Sequence, residues 1–240
     1  MNIIQVKDLK FSYPLIGVRT KLISNGIIGG RLNTSDKKNN VIKVLDGLNF
    51  TFYPGDRVGL YGDNGAGKTT LLRILGGIFK PSQGEVNVRG NLGIFLDTTS
   101  GFDFDSSGKE NIVMRGMLLG LDHDYITDKI QNVINFSEIG DFVHLPLKVY
   151  SAGMLARLSF AIVNLIDPDI YLIDETIGTG DINFQKKISN KFKKIINNHK
   201  MLICASHSKE LIESVCNMGM IIKNGKISSS YKMKPINNVF

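Results

Sequence analysis

Residues 62–70 read Gly62-Asp63-Asn64-Gly65-Ala66-Gly67-Lys68-Thr69-Thr70, which fits the pattern G-x-x-x-x-G-K-[ST]. A predicted buried strand, residues 57–61, precedes this stretch, and the helical pattern of residues 71–75 follows it. Glycines let the backbone wrap closely around phosphate groups, so that successive N–H groups and a helix N-terminus face their oxygens. The stretch therefore predicts a P-loop whose nine residues contact a nucleotide. Lys68 would reach the β- and γ-phosphates, and the Thr69 hydroxyl would bind Mg²⁺.

A second candidate site follows the run Ile170-Tyr171-Leu172-Ile173, which ends in Asp174 and Glu175. A buried strand that ends in two acids is also common at an ordinary loop start, and the upstream P-loop is what favours a functional interpretation. We expect Asp174 to hold Mg²⁺ through water and Glu175 to orient and deprotonate the attacking water.

Three short polar segments complete the pattern. Ser151 and Gly153 lie at the start of a predicted helix before Asp174, Asp181 follows the two acids, and His207 ends the next apolar strand. Taken singly, Ser151 indicates a helix N-cap and His207 a surface histidine. Their order along the chain favours one composite site.

Composition and charge exclude several classes of protein. The chain has 240 residues, of which 42% are hydrophobic and 21% charged, as in ordinary globular proteins. Its net charge of +7 suits an anionic partner (nucleotide, nucleic acid or an acidic membrane face) or a basic solvated surface. Two cysteines, with no C-x-x-C pair, argue against a disulfide scaffold or a zinc module and favour a reducing cytosol.

No membrane-targeting feature is visible in the sequence. Asp8 precedes any apolar region, which argues against a secretory signal, and the longest apolar stretch, residues 158–166, is too short to span a bilayer. We therefore expect a soluble protein whose membrane role, if it has one, depends on a partner.

Hydrophobic periodicity predicts strands that alternate with helices, and hence an α/β domain with a mostly parallel sheet. The predicted strands are residues 3–6, 48–52, 57–61, 85–89, 92–95, 170–173, 201–205 and 218–222, and the predicted helical regions are 108–142, 151–163 and 184–196. Residues 15–40 are glycine-rich and then polar, which indicates an inserted loop with a short helix near residues 18–24.

From about residue 3 to residue 229, these motifs resemble the nucleotide-binding subunits of ABC transporters. The resemblance implies a P-loop core with a mostly parallel sheet, an antiparallel β part and a helical subdomain inserted over about residues 97–163. Residues 1–240 would form a single ATP-hydrolysing domain that binds ATP and Mg²⁺.

The resemblance also implies roles for individual residues. Tyr13 would stack on adenine, with Phe11 as the alternative, and His207 would contact the γ-phosphate. Asp181 matches a segment that communicates between protomers. Asp97 stands where the family has a glutamine, which makes it a candidate third metal ligand beside Thr69 and Asp174.

Ser151 and Gly153 resemble the family signature, although the usual Leu-Ser-Gly-Gly-Gln reads Tyr-Ser-Ala-Gly-Met here. In the family this motif completes the nucleotide site of a second protomer. The resemblance therefore implies that the chain pairs head to tail with a second copy of itself.

Finer features are similar to the ATPases of polysaccharide exporters, which serve O-antigen, capsule or teichoic-acid permeases. They are Met154, the pair Gly101-Phe102 before Gly108-Lys109-Glu110-Asn111, and the run Gly180-Asp181-Ile182-Asn183-Phe184-Gln185. The likeness implies an integral membrane permease as partner, a lipid-linked glycan as cargo and a place on the cytoplasmic face of the inner membrane. Because the sequence ends at Phe240, we expect no C-terminal carbohydrate-binding domain.

Two other functions stay open at this point. A small-molecule or drug exporter would share every catalytic residue. A soluble ABC ATPase acting on nucleic acid or ribosomes would suit the positive charge, but such proteins usually have two nucleotide domains or a long coiled-coil insert. We therefore expect no nucleic-acid partner.

For the permease contact, the sequence points to residues 97–111. Phe102 and Phe104 alternate there with Asp97, Asp103 and Asp105, which predicts an exposed aromatic pair among acids that could seat a helix bearing cations. The insertion at residues 15–40 is the other candidate, and it is also consistent with a tolerated surface loop.

Overall fold

The computed structural model describes residues 3–14, 35–36, 41–96, 99–174, 198–205 and 209–233, with backbone only at residues 35–36 and 209–211. The strands are β1 Ile3–Pro14, β2 Ser35–Asp36, β3 Val41–Phe52, β4 Arg57–Tyr61, β5 Gln83–Arg89, β6 Leu92–Phe95, β7 Ile170–Ile173, β8 Met201–Ala205, β9 Met218–Lys223 and β10 Lys226–Lys232. The α-helices are α1 Lys68–Leu75, α2 Gly108–Leu118, α3 His123–Ser137, α4 Ala152–Val163 and α5 Lys209–Val215. Short 3₁₀ helices span Gly140–His144 and Leu147–Val149.

The strands form two sheets. One is antiparallel, in the order β2-β3-β1-β5, and the other has the order β10-β9-β4-β8-β7-β6. In the second sheet β4 pairs in parallel with β8 and β9, β7 pairs in parallel with β6 and β8, and only β10 is antiparallel. This is the predicted α/β class, with a mostly parallel sheet and an antiparallel β part.

The parallel sheet sets the position of the candidate site. Strands β4 and β7 are almost wholly buried, as expected for apolar runs covered on both faces. The chain leaves β4 at Tyr61 for the loop that precedes α1, and it leaves β7 at Asp174. In parallel sheets these carboxyl ends lie along one edge, where ligands bind.

Helices α2, α3 and α4 lie between β6 and β7 in the chain and have a hydrophobic core of their own. Ile112, Ile126, Val133, Leu158 and Ile162 are among its fully buried members. A separate core joins both sheets to α1. None of the described helices is long and apolar enough to cross a membrane.

Several element boundaries differ from the sequence-based expectation. The region predicted as helical over residues 108–142 is two α-helices and a 3₁₀ turn, because Gly120 at φ 81° ends the first α-helix and Asp122 caps the second. Strand β1 continues past the predicted end at Val6 through a bulge where Asp8 has φ 45°, which disrupts the alternation of buried side chains. The predicted helices near residues 18–24 and 184–196 lie outside the described residues.

Candidate functional site

The loop between β4 and α1 depends on glycines for two different reasons. A Cβ atom on Gly62 would lie 2.3 Å from the Ile222 carbonyl oxygen, and one on Gly67 would lie 2.7 Å from Leu45 Cδ2. Gly65 has open space around it, but its φ of 78° is a left-handed conformation that other residues adopt at a cost. The backbone is therefore held close to its neighbours, in the shape expected of a phosphate cradle.

Helix α1 begins at Lys68 with no side chain capping its N-terminus, because the N-cap position is Gly67. The first amides of a helix lack intrahelical partners and have a partial positive charge. An anion such as a phosphate would satisfy them.

Lys68 is buried, with 9% of its surface exposed, and it is held by the loop that it follows. Its Nζ donates to the carbonyl oxygens of Gly62 at 2.6 Å and Asp63 at 3.1 Å. An ammonium group has three N–H donors, so one remains for a phosphate oxygen.

These elements enclose a cleft of about 360 Å³, called the P-loop cleft below. It is lined by Tyr13, Val44, Asn64, Gly65, Ala66, Gly67, Lys68, Thr69, Thr70 and Asp174. The structure thus brings two of the predicted metal ligands, Thr69 and Asp174, to one cleft. The third, Asp97, lies outside the described residues, as do Glu175, Asp181 and His207.

Of the two candidate adenine-stacking residues, the structure places only Tyr13 in the P-loop cleft. Phe11 is 8% exposed and belongs to the core that joins the two sheets. Tyr13 is half-buried, and its hydroxyl lies 3.3 Å from Thr70 Oγ1.

Sequence reasoning missed Val44 as a lining residue and the contact between Tyr13 and Thr70. No signal in the sequence marks Val44, since its position depends on how β3 packs beside the loop at Gly67. The contact between Tyr13 and Thr70 joins residues that are far apart in the chain.

Ser151 and Gly153 lie at the N-terminus of α4, and neither lines the P-loop cleft of the same chain. The Ser151 hydroxyl accepts a hydrogen bond from Met154 N at 3.2 Å, so it does cap its helix. Among the described residues, the atom nearest to a Cβ on Gly153 would be Ser151 Oγ at 3.9 Å. The described part of the fold therefore gives no steric reason for a glycine at position 153.

Comparisons with known proteins agree with this geometry. The ABC transporter family profile matches residues 45–178. The chain is 37% identical over 225 residues to the O-antigen export system ATP-binding protein RfbE of Yersinia enterocolitica, a match that spans 92% of this chain and 94% of that protein. It is 34% identical over 193 residues to the teichoic acids export ATP-binding protein TagH of Bacillus anthracis, covering 80% of this chain and 35% of that protein.

Solved structures show the same fold. The ATP-binding cassette MJ0796, determined as a dimer in a post-hydrolysis state bound to ADP and Pi, matches with a TM-score of 0.74 at 17% identity. That match covers 97% of this chain and 100% of the cassette.

A phosphate cradle at the carboxyl edge of a mostly parallel sheet defines a P-loop protein that binds nucleoside triphosphates. The family profile and the relatives identify one family within that class. The chain belongs to the ABC transporter family, as one of its ATP-binding, ATP-hydrolysing subunits. The family and the fold class expected from the sequence are thus confirmed.

Proposed function

We propose that this subunit powers the export of a lipid-linked polysaccharide across the cytoplasmic membrane through a separate integral membrane permease. The observation that supports this most strongly is the likeness to an O-antigen export ATP-binding protein along nearly the whole of both chains. A second likeness, to a teichoic acids export protein, points to the same class of cargo. The subunit would sit on the cytoplasmic face of the membrane, held there by the permease.

In the proposed site, the described residues bind and orient ATP. Tyr13 stacks on the adenine ring, and residues 62–70 bind the phosphates through backbone N–H groups. Lys68 offers its remaining N–H to the β- and γ-phosphates. The oxygens of Thr69 and Asp174, which share the P-loop cleft, suit Mg²⁺, with Asp97 as a further candidate. A bound Mg²⁺ would neutralise phosphate charge during the transfer.

Two residues outside the described part of the chain complete the proposed chemistry. Glu175 directly follows Asp174 and would accept a proton from the attacking water. His207 would hold the γ-phosphate in place by a hydrogen bond.

We propose that the site is completed by a second copy of the chain. Ser151 and Gly153 do not line the P-loop cleft of their own chain, and no other described residue crowds the position of a Cβ on Gly153. Both facts suit a motif that approaches the γ-phosphate of a partner protomer, where a side chain at position 153 would be in the way.

The test is made in the native host. Replacement of Glu175 by Gln should slow ATP hydrolysis by about 10²–10⁴-fold while ATP still binds, as expected when a general base is lost. Surface polysaccharide should disappear from that strain, and lipid-linked glycan should accumulate inside it.

A Lys80→Ala strain serves as the control, because Lys80 is an exposed lysine outside the P-loop cleft. If Glu175→Gln hydrolyses ATP at more than half of the wild-type rate, Glu175 is not the general base. Unchanged surface polysaccharide in a strain whose subunit no longer hydrolyses ATP would contradict the export function.

A further inference from the structure

We propose that Phe79 and the hydroxyl of Thr70 are positioning residues for Tyr13, so that the protein recognises the base and the triphosphate of ATP as one unit. This rests on the proposed function, in which Tyr13 stacks on adenine. Phe79 does not line the P-loop cleft, and no sequence motif points to it.

Three aromatic rings form a compact cluster behind the cleft. The Tyr13 ring is perpendicular to the rings of Phe11 and Phe79, with centroid distances of 4.9 and 5.8 Å. The rings of Phe11 and Phe79 are nearly parallel, with their centroids 5.5 Å apart. Such contacts restrict the side-chain torsions of Tyr13 to one arrangement.

Two of the three rings, those of Tyr13 and Phe79, contact side chains of α1. At one end the Tyr13 hydroxyl lies 3.3 Å from Thr70 Oγ1. At the other end the Arg73 guanidinium lies 5.7 Å from the centroid of the Phe79 ring. Thr70 and Arg73 are both α1 residues, so the orientation of the Tyr13 ring follows this helix rather than β1 alone.

Helix α1 is also the helix whose N-terminus faces the cleft that would hold the phosphates. The aromatic cluster therefore fixes the distance between the Tyr13 ring and the phosphate cradle. Because Tyr13 is ordered before ATP arrives, less side-chain entropy is lost on binding. This smaller loss of entropy strengthens the binding only of a ligand that has both a base and phosphates.

The experiment compares ATP with inorganic tripolyphosphate, which has no base, using isothermal titration of the full-length protein. Phe79→Leu should weaken ATP binding by about threefold to tenfold, the range expected from freeing one ordered side chain, and leave tripolyphosphate binding unchanged. Tyr13→Phe keeps the ring and removes only the bond to Thr70, so a smaller loss confined to ATP is expected. This second variant also tests the proposal if Phe79→Leu does not fold.

The decisive measurement is made in a Tyr13→Leu background. If Phe79 acts through Tyr13, then Phe79→Leu should have no further effect on ATP binding once the Tyr13 ring is gone. Phe50→Leu is the matched control, because the Phe50 ring stacks on Phe52 at 4.7 Å and, within the part of the chain that the structure describes, makes no ring contact with Tyr13, Phe11 or Phe79. Phe50→Leu should change the affinity for neither ATP nor tripolyphosphate.

The outcomes separate this inference from the function on which it rests. If Tyr13→Leu itself leaves ATP binding unchanged, Tyr13 does not bind the base and its proposed role is wrong. If Tyr13→Leu weakens ATP binding but Phe79→Leu does not, or if the two effects add in full, the inference alone is overturned. Equal losses for ATP and tripolyphosphate would also overturn it.

Discussion

Replacement by alanine should have a different cost at each of three glycines, Gly62, Gly65 and Gly153. Gly62 combines a φ of 150° with a backbone oxygen where its Cβ would be. A Cβ on Gly65, where φ is positive, would have no described residue within 4 Å. Gly153 has an ordinary φ, and the nearest described atom to its Cβ would be Ser151 Oγ at 3.9 Å. The cost of alanine should therefore fall in the order 62, 65, 153.

We expect Gly62→Ala to lower the free energy of unfolding by about 2 kcal/mol or more, because β9 must move away from the loop. Gly65→Ala should cost about 1 kcal/mol, the price of a left-handed conformation with a side chain. Gly153→Ala is the control and should cost nothing, since alanine favours the helix. Urea unfolding of the three variants would measure this order, and equal losses at positions 62 and 65 would contradict it.

The shape of the loop at residues 62–70 could be predicted from the sequence alone, because that motif is local and its spacing is set by backbone geometry. The preference for Tyr13 over Phe11 came from the family resemblance and not from the strand pattern. These residues are two positions apart and would share one face of a regular strand, so which of them reaches the cleft depends on irregularities in β1, including a register shift between Phe11 and Ser12. A pattern of period two contains no information about such shifts.

Elements were predictable where their hydrophobic pattern is strong. Strands β7 and β8 are fully buried and were predicted with their observed bounds, 170–173 and 201–205. Strand β10 was missed because nearly all of its side chains are exposed, which leaves no alternation to detect. It is held instead by backbone pairing with β9.

The prediction that Phe102 and Phe104 form an exposed aromatic pair is wrong for Phe102. Phe102 is partly buried against the core of α2, α3 and α4, and the Arg115 guanidinium lies 4.3 Å from its ring centroid. Arg115 in turn donates to Ser159 Oγ on α4 at 2.9 Å. Phe102 is therefore part of the internal packing, whereas Phe104 is 40% exposed.

A different apolar surface surrounds Phe104. Val149 is exposed at the end of the second 3₁₀ helix, and Leu145 is exposed between the two 3₁₀ helices. Hydrogen bonds from Lys148 N to Phe104 O and from Gly108 N to Leu145 O link this region to the Phe104 segment. Serine hydroxyls lower the pKa of Asp103 and of Glu110 nearby, so both carboxylates stay ionised. We call Phe104, Leu145 and Val149 the docking surface and expect it to contact a permease helix with apolar and cationic side chains.

Replacing Phe104 and Leu145 by serine should weaken co-purification of the permease at least about tenfold, because a few residues buried at the centre of an interface carry most of its binding energy. ATP binding should not change, since neither residue lines the P-loop cleft. Tyr53→Ser is the matched control, because Tyr53 is an equally exposed aromatic outside the helical region. If the double variant retains the permease as the wild type does, the docking surface is misassigned and the insertion at residues 15–40 becomes the candidate.

At the scale of the whole molecule, the mostly parallel sheet was predictable but its strand order was not. The alternation of strands and helices fixes the class of fold. The order β10-β9-β4-β8-β7-β6 depends on pairing between distant segments, such as Val58 opposite Ile203 in β8 and Met218 in β9. Residues of the candidate site meet because of that order.

Which residues meet is even harder to predict from the sequence when a site is shared between two molecules. The sequence placed Ser151 and Gly153 in the signature by resemblance alone, and the structure shows that they do not line the P-loop cleft of their own chain. Among the described glycines with an ordinary φ, Gly153 is the one whose Cβ would meet nothing closer than 3.9 Å. At the other six, Gly59, Gly76, Gly93, Gly108, Gly116 and Gly219, a Cβ would lie within 3.1 Å of another atom.

A larger side chain at position 153 should therefore spare the fold and block the dimer. In a Glu175→Gln background, which retains bound ATP, the protein should dimerise with MgATP and separate with MgADP, as measured by light scattering. Gly153→Leu should weaken that ATP-driven dimer at least about tenfold, because in the proposed dimer the side chain would enter the space of the partner's nucleotide. Its free energy of unfolding should stay at the parent value. Asn135→Leu, an exposed substitution on α3, should dimerise as the parent does. An unaltered ATP-driven dimer in Gly153→Leu would rule out a site completed by the partner's signature.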